Sequence, residues 1–124
     1  WADRVGLPAI CTVLFSPVAD MLPPVRDGAY VYVVGHPLGG KLQLSIRGND
    51  LIDHDGRALH YLAPTKEGSS GSPVFDENWG VIGVHHKGSD RLPALRGAAR
   101  TYPGNEGHSI TAIREALATR PPTL

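Results

Sequence analysis

Glycine and proline interrupt this sequence every few residues, 15 and 11 of them in 124 positions, too often for the helices of a bundle. Between the breaks lie short runs rich in β-branched and aromatic residues, at 29–34, 41–47, 58–62, 73–75 and 80–85. Their spacing of about 10–12 residues per strand favours an all-β barrel or sandwich. Lys41 to Arg47 alternates polar and apolar side chains, with Leu42, Leu44 and Ile46 on one face. That is the pattern of a half-buried antiparallel strand. Tyr30 to Val34 is apolar throughout and reads as a more central strand. Turn residues fall between the runs at Gly39-Gly40, Gly48-Asn49-Asp50 and Asp55-Gly56. One segment breaks the pattern. Ser109 to Thr119 places Ile110, Ile113 and Leu117 at helical spacing, with Ser109 as N-cap and Pro121 as a stop. Such a helix is expected to lay its apolar stripe on the outside of the barrel. Ala94–Ala99 stays ambiguous, because Gly97 weakens a helix there.

The length fits one domain over residues 1–124, and a 41% hydrophobic fraction suffices for a core. Twelve basic and twelve acidic residues balance, so nothing suggests nucleic acid or an anionic membrane as a partner. No apolar run approaches the ~18 residues of a membrane span, and no signal-peptide pattern opens the chain. Its start at Trp1 suits a processed or trimmed piece. Cys11 is the single cysteine, which excludes an internal disulfide framework and a cysteine-built zinc site. No cofactor is expected. Metal binding by His85-His86 with a further histidine finds no helical ligand spacing in its support, so no metal is expected either.

Gly68-Ser69-Ser70-Gly71-Ser72-Pro73 is the most informative stretch. Taken alone, two glycines and three serines between strands form a flexible turn more readily than a site. The chemical alternative is a serine on a tight turn whose backbone amides converge on one point, the arrangement an acyl-transfer oxyanion requires.

The flanks decide between them. Thr65 to Phe75 reads TKEGSSGSPVF and is followed by Trp79 to His86, WGVIGVHH. Together they resemble the nucleophile region of trypsin-like serine peptidases, in particular the glutamyl endopeptidase branch. In that branch a G-x-S-G-S-P-V-F segment leads into a strand ending in Gly, an apolar residue and His. Tyr32 to Pro37, YVVGHP, is similar to the family's strand end about 35 residues before the serine. Asn105-Glu106-Gly107 with the helix after it is similar to the family's C-terminal helix region. The resemblance runs over roughly residues 12–119. It implies an antiparallel six-stranded Greek-key barrel, one half of a double-barrel peptidase, with a C-terminal helix over about 109–119.

By that resemblance Ser70 is the nucleophile, and the amides of Gly68 and Ser70 form the oxyanion hole. Ser72 supports the turn, and Pro73 opens the next strand. His85, with Thr65 five residues before the serine, is implied to hold the side chain preceding the scissile bond. That implies cleavage after Glu or Asp, with an imidazole N–H and a hydroxyl both donating to the carboxylate. His86 borders the same region, but strand alternation points adjacent residues to opposite faces, so His85 and His86 do not both face the substrate.

The serine's partners are missing. The family's general base and orienting Asp come from an N-terminal barrel, the Asp heading a strand whose counterpart here, Ile10 to Phe15, puts Ile10 at the Asp position. No histidine precedes His36. His36 reads as a turn residue, His54 and His60 as surface structural residues, and His108 as flanking the helix start. The chain therefore reads as the C-terminal half of a serine endopeptidase acting on a peptide or protein, catalytically incomplete by itself. Its partner is the N-terminal half, and an apolar interface should lie exposed without it. The competing reading is a non-catalytic module that binds peptides or proteins. Similar domains occur as modules of larger bacterial proteins; this and the lack of cysteine pairs lean towards a cytoplasmic setting.

Overall fold

The computed structural model describes residues 17–120. Seven strands follow one another as β1 (Tyr32–Gly35), β2 (Gln43–Ser45), β3 (Leu51–His54), β4 (Ala58–Tyr61), β5 (Pro73–Phe75), β6 (Val81–Pro93) and β7 (Thr101–Ser109). Helix α1 (Ile110–Thr119) closes the order. All seven strands join one antiparallel sheet in the order β2-β1-β5-β6-β7-β4-β3. The expected antiparallel barrel with a C-terminal helix is present, with seven strands rather than six and without a closing ladder; a single bridge, Tyr30 to Asp50, joins the segment before β1 to the start of β3.

The core lies on the inner side of this curved sheet. Val31, Val33, Leu51, Leu59, Tyr61, Val74 and Ile82 are buried there together. Burying a side chain of this size contributes roughly 1.5–3 kcal/mol each, the main term holding so small a sheet together.

Strands β3 and β7 were absent from the sequence pattern. The β7 segment, TYPGNEGHS, has no apolar alternation and carries a proline and two glycines. It becomes a strand because it is paired on both sides, to β4 and to β6. Its glycines answer close approach rather than turning: a Cβ on Gly107 would meet Val84 O at 2.9 Å and Tyr61 Cε1 at 3.4 Å. Strand β6 runs well past the expected end at His85, to Pro93, through two register shifts.

Strand β2 turns the expected face outward. Val33 pairs with Ser45 and Val34 with Leu44, so Ser45 shares the core-facing side with buried Val33. Leu42, Leu44 and Ile46 are left 42%, 45% and 64% exposed. Alternation ties the three to one face but does not say which one; the register does. Helix α1 begins as the sequence suggests, with Ser109 Oγ accepting from Ala112 N at 3.1 Å. Its stripe is covered only at the near end: Ile110 and Ile113 are half-buried, whereas Leu117 is 64% exposed. Ala94–Ala99 contains a short 3-10 turn at Leu95–Gly97. The Ile10–Phe15 stretch and Pro121 lie outside the described residues.

Gly83 shows how closely β6 is held. A Cβ there would stand 2.5 Å from His108 O and 2.6 Å from Leu59 Cδ1. Gly83→Ala must therefore push β6 from β7 or displace a core leucine. A loss of about 1–3 kcal/mol is expected, read from chemical denaturation, with no change in far-ultraviolet circular dichroism of the folded state.

Candidate active site

Ser70 lies in the loop between β4 and β5, and the loop's shape follows from its glycines and its hydrogen bonds. Gly68 has φ +86°, and a Cβ on it would approach Leu38 N to 3.1 Å, so glycine is required on both grounds. Leu38 N donates to Glu67 O at 2.7 Å, tying the loop to the Pro37–Gly39 turn after β1. Ser69 is buried, and its N donates to Lys66 O at 3.1 Å. Gly71 N donates to His85 O at 2.9 Å, and Ser72 N to Ser69 O at 3.1 Å. The amides of Ser69, Gly71 and Ser72 thus have acceptors inside the protein. Among the described residues, those of Gly68 and Ser70 have none. Ser72 is buried against Gly35, where a Cβ would collide with its hydroxyl; Pro73 opens β5 as expected.

The Ser70 hydroxyl is exposed and donates to His86 O at 2.8 Å. No histidine ring of the described residues bonds it. An open cleft of about 770 Å³ adjoins it, and Thr65, Ser70, His85, His86 and Asn105 all line its wall. The sequence-expected serine, histidine and threonine are therefore brought to one cavity.

The wall is organised from behind by a rung the sequence did not reveal. Tyr61 on β4 stands opposite Asn105 on β7. The Tyr61 hydroxyl lies 2.6 Å from His85 Nδ1, and both residues are buried. Burial pushes the Tyr61 phenol far above its ordinary range, so it keeps its proton. Burial, reinforced by neighbouring His86, holds His85 below the usual imidazole value. Thr65 Oγ1 donates to Asn105 Oδ1 at 2.6 Å, and Asn105 Nδ2 donates to Ala63 O at 2.9 Å. Asn105 was read only as part of the approach to the helix. Its signal, a lone amide within a glycine-rich run, is too common to single out.

His86 borders the cleft, and its ring lies against His108, with centroids 4.8 Å apart. His36 caps its turn, Nδ1 lying 3.0 Å from Gly40 O. His60 corrects the surface reading: it is fully buried, with Nδ1 at 2.7 Å from the Tyr102 hydroxyl and Nε2 at 3.1 Å from Glu106 Oε2. His54 is half-buried, Nε2 lying 2.8 Å from Pro23 O. Among the described residues no group of three or more metal-ligating side chains comes together.

The family model of the trypsin-like peptidase domain matches residues 9–84, well over half of the chain. The chain belongs to the trypsin-like peptidase family. It is 32% identical over 68 residues to the uncharacterized protein y4fB of Sinorhizobium fredii, a match covering 49% of this chain. The chain spans only about 10% of that curated relative's length. Among solved structures it resembles Rv3671c from M. tuberculosis H37Rv, a serine-to-alanine mutant in an inactive form. That likeness has a TM-score of 0.54 at 21% identity and covers 86% of this chain and 56% of that one. At such identity it speaks for the fold of this trypsin-like domain.

Glu106, on the rung next to Asn105, gives a pH prediction. Burial raises its pKa, but hydrogen bonds from His60 and Lys87 outweigh this and hold the carboxyl below its ordinary 4.5. A carboxyl depressed in the folded chain binds its proton less readily than in the unfolded chain. Its stabilisation is complete above the ordinary value and is lost as pH falls through the depressed one. Glu106→Gln should therefore flatten the acid limb of Tm against pH, measured by scanning calorimetry, relative to the parent chain.

Proposed function

We propose that this domain carries the nucleophile and oxyanion hole of a serine endopeptidase, completed by a His and an Asp from outside the described residues. The observation that carries the reading is the exposed Ser70 hydroxyl in a turn where, across residues 68–72, the amides of Gly68 and Ser70 have no acceptor while those of Ser69, Gly71 and Ser72 are bonded. Preorganised donors of this kind stabilise the oxyanion of a tetrahedral intermediate, and removing one typically lowers the rate about 10²–10³-fold. Ser70 attacks the peptide carbonyl, its proton passes to the incoming histidine and from there to the leaving amine, and the resulting acyl-enzyme is hydrolysed by water. In the present state that proton rests on His86 O, so arrival of the base must draw the hydroxyl off this carbonyl.

The missing partners are assigned to an N-terminal barrel, in a longer protein or on a second chain. The outward apolar side of β2, with Leu42, Leu44 and Ile46, supports a covering partner. The cleft wall at His85 and Thr65 holds the side chain before the scissile bond, which the family resemblance implies to be Glu or Asp. His86 contributes its carbonyl to the cleft's edge. A purely binding module would gain nothing from two unengaged amides flanking an exposed serine hydroxyl.

The test is reconstitution. The 124-residue chain alone should hydrolyse peptides on the order of 10⁶-fold more slowly than the completed enzyme. With the N-terminal half of its parent protein supplied, a serine-directed phosphonate should label Ser70, identified by peptide mass spectrometry. Ser70→Ala should abolish both labelling and turnover. Full activity of the isolated chain, or turnover that survives Ser70→Ala, would overturn this assignment.

A further inference from the structure

What the cleft recognises depends on which of its wall atoms carry protons, and the hydrogen bonds behind the wall fix them. His85 Nδ1 and the Tyr61 hydroxyl, 2.6 Å apart and buried, share one proton between them. If Nδ1 donated, the phenolic proton would need a second acceptor, and among the described residues none bonds it. Both groups are satisfied only when Tyr61 donates to a bare Nδ1, which places the ring proton on Nε2. The same count excludes the imidazolium: a proton on each nitrogen would again strand the phenol's own. His85 therefore offers the cleft one N–H and no charge.

Thr65 offers the opposite. Its hydroxyl proton is committed to Asn105 Oδ1 at 2.6 Å. The amide cannot turn over without losing the bond from Nδ2 to Ala63 O. Thr65 Oγ1 therefore presents lone pairs. The cleft wall pairs a donor with an acceptor, whereas a carboxylate needs donors only.

Resting on the peptidase reading above, we infer that the cleft selects a neutral carboxamide, glutamine or asparagine, over a carboxylate at the position before the scissile bond. The carboxamide oxygen accepts from His85 Nε2–H while its NH₂ donates to Thr65 Oγ1. A carboxylate has no proton for Thr65 and sets its charge against a lone pair. Turning the Thr65 hydroxyl towards it would strand Asn105 Oδ1, on a residue only 6% exposed. Of the three cations lining the cleft, the Lys87 ammonium is held 3.3 Å from Glu106 Oε1, while Lys66, beside Glu67, and Arg47 are both exposed, where solvent and salt screen their charge. The acidic preference implied by the family resemblance is the competing outcome.

Two measurements test this. In the completed enzyme, matched peptides differing only in Gln, Glu, Met or Leu before the cleaved bond are compared by kcat/KM at neutral pH. Gln should exceed Glu and Met by at least about tenfold, since a site built around paired hydrogen bonds rejects analogues that leave them unmade. Tyr61→Phe and Asn105→Leu, which release His85 and Thr65 from their partners, should each lower the Gln-to-Glu ratio. Independently of turnover, ¹⁵N-imidazole NMR of this chain should show His85 neutral with its proton on Nε2. Glu favoured over Gln, Met cut as well as Gln, or His85 protonated on Nδ1 at neutral pH each overturns the carboxamide assignment and leaves the peptidase standing. A completed protein that neither cuts any peptide nor labels at Ser70 overturns the peptidase reading and this inference with it.

Discussion

Two backbone hydrogen bonds join the serine loop to the wall opposite. Gly71 N donates to His85 O at 2.9 Å, and His85 N donates to Ser72 O at 2.8 Å. They fall on the two residues after Ser70 and on both backbone groups of His85, so the nucleophile's turn and the cleft wall are tied directly to each other. Much else follows from this tie. It holds the His86 carbonyl against the Ser70 hydroxyl, and within residues 68–72 the amides without an acceptor are those of Gly68 and Ser70. It also requires β6 to sit close against β7, which the missing side chains of Gly83 and Gly107 permit.

Behind that wall, buried polar groups come in matched sets. The Tyr61 and Asn105 rung serves the cleft, and the next rung, His60 and Glu106, satisfies itself with Tyr102 and Lys87. An unpaired buried polar group costs roughly 1–3 kcal/mol, so each such set must be nearly complete to be tolerated. Completeness fixes the wall's polarity. Every proton behind it has one acceptor, so the atoms left facing the cleft have fixed roles, and no charge is needed to define them. The Glu106 carboxyl adds stability that depends on pH; of its partners, His60 lies outside the cleft lining and Lys87 lies in it.

The outward apolar side of β2 is the counterpart of this inner order. Exposed aliphatic side chains at Leu42, Leu44 and Ile46 contribute nothing to this core, whereas Ser45 points inward with a buried hydroxyl lacking a partner among the described residues. A strand whose apolar side faces away from its own core fits a domain that packs against another body. That agrees with the proposal that the site is completed by groups from elsewhere.

The sequence by itself determined the strand-rich class, most strand positions, the N-cap at Ser109 and the serine loop, because each is local. Turn residues, alternation and a short motif are read within a few positions. Strand β7 and the strand count came only with the tertiary structure, since Thr101 to Ser109 has no periodic pattern and is held by neighbours on both sides. Glycines read as punctuation at 104 and 107 lie inside β7, where close packing excludes a side chain. Burial of His60 was likewise invisible: its partners, Tyr102 and Glu106, lie 42 and 46 residues away. Composition names the donors and acceptors of a cleft. Only the fold decides which of them already has its proton assigned, because that depends on partners the chain brings together from far apart.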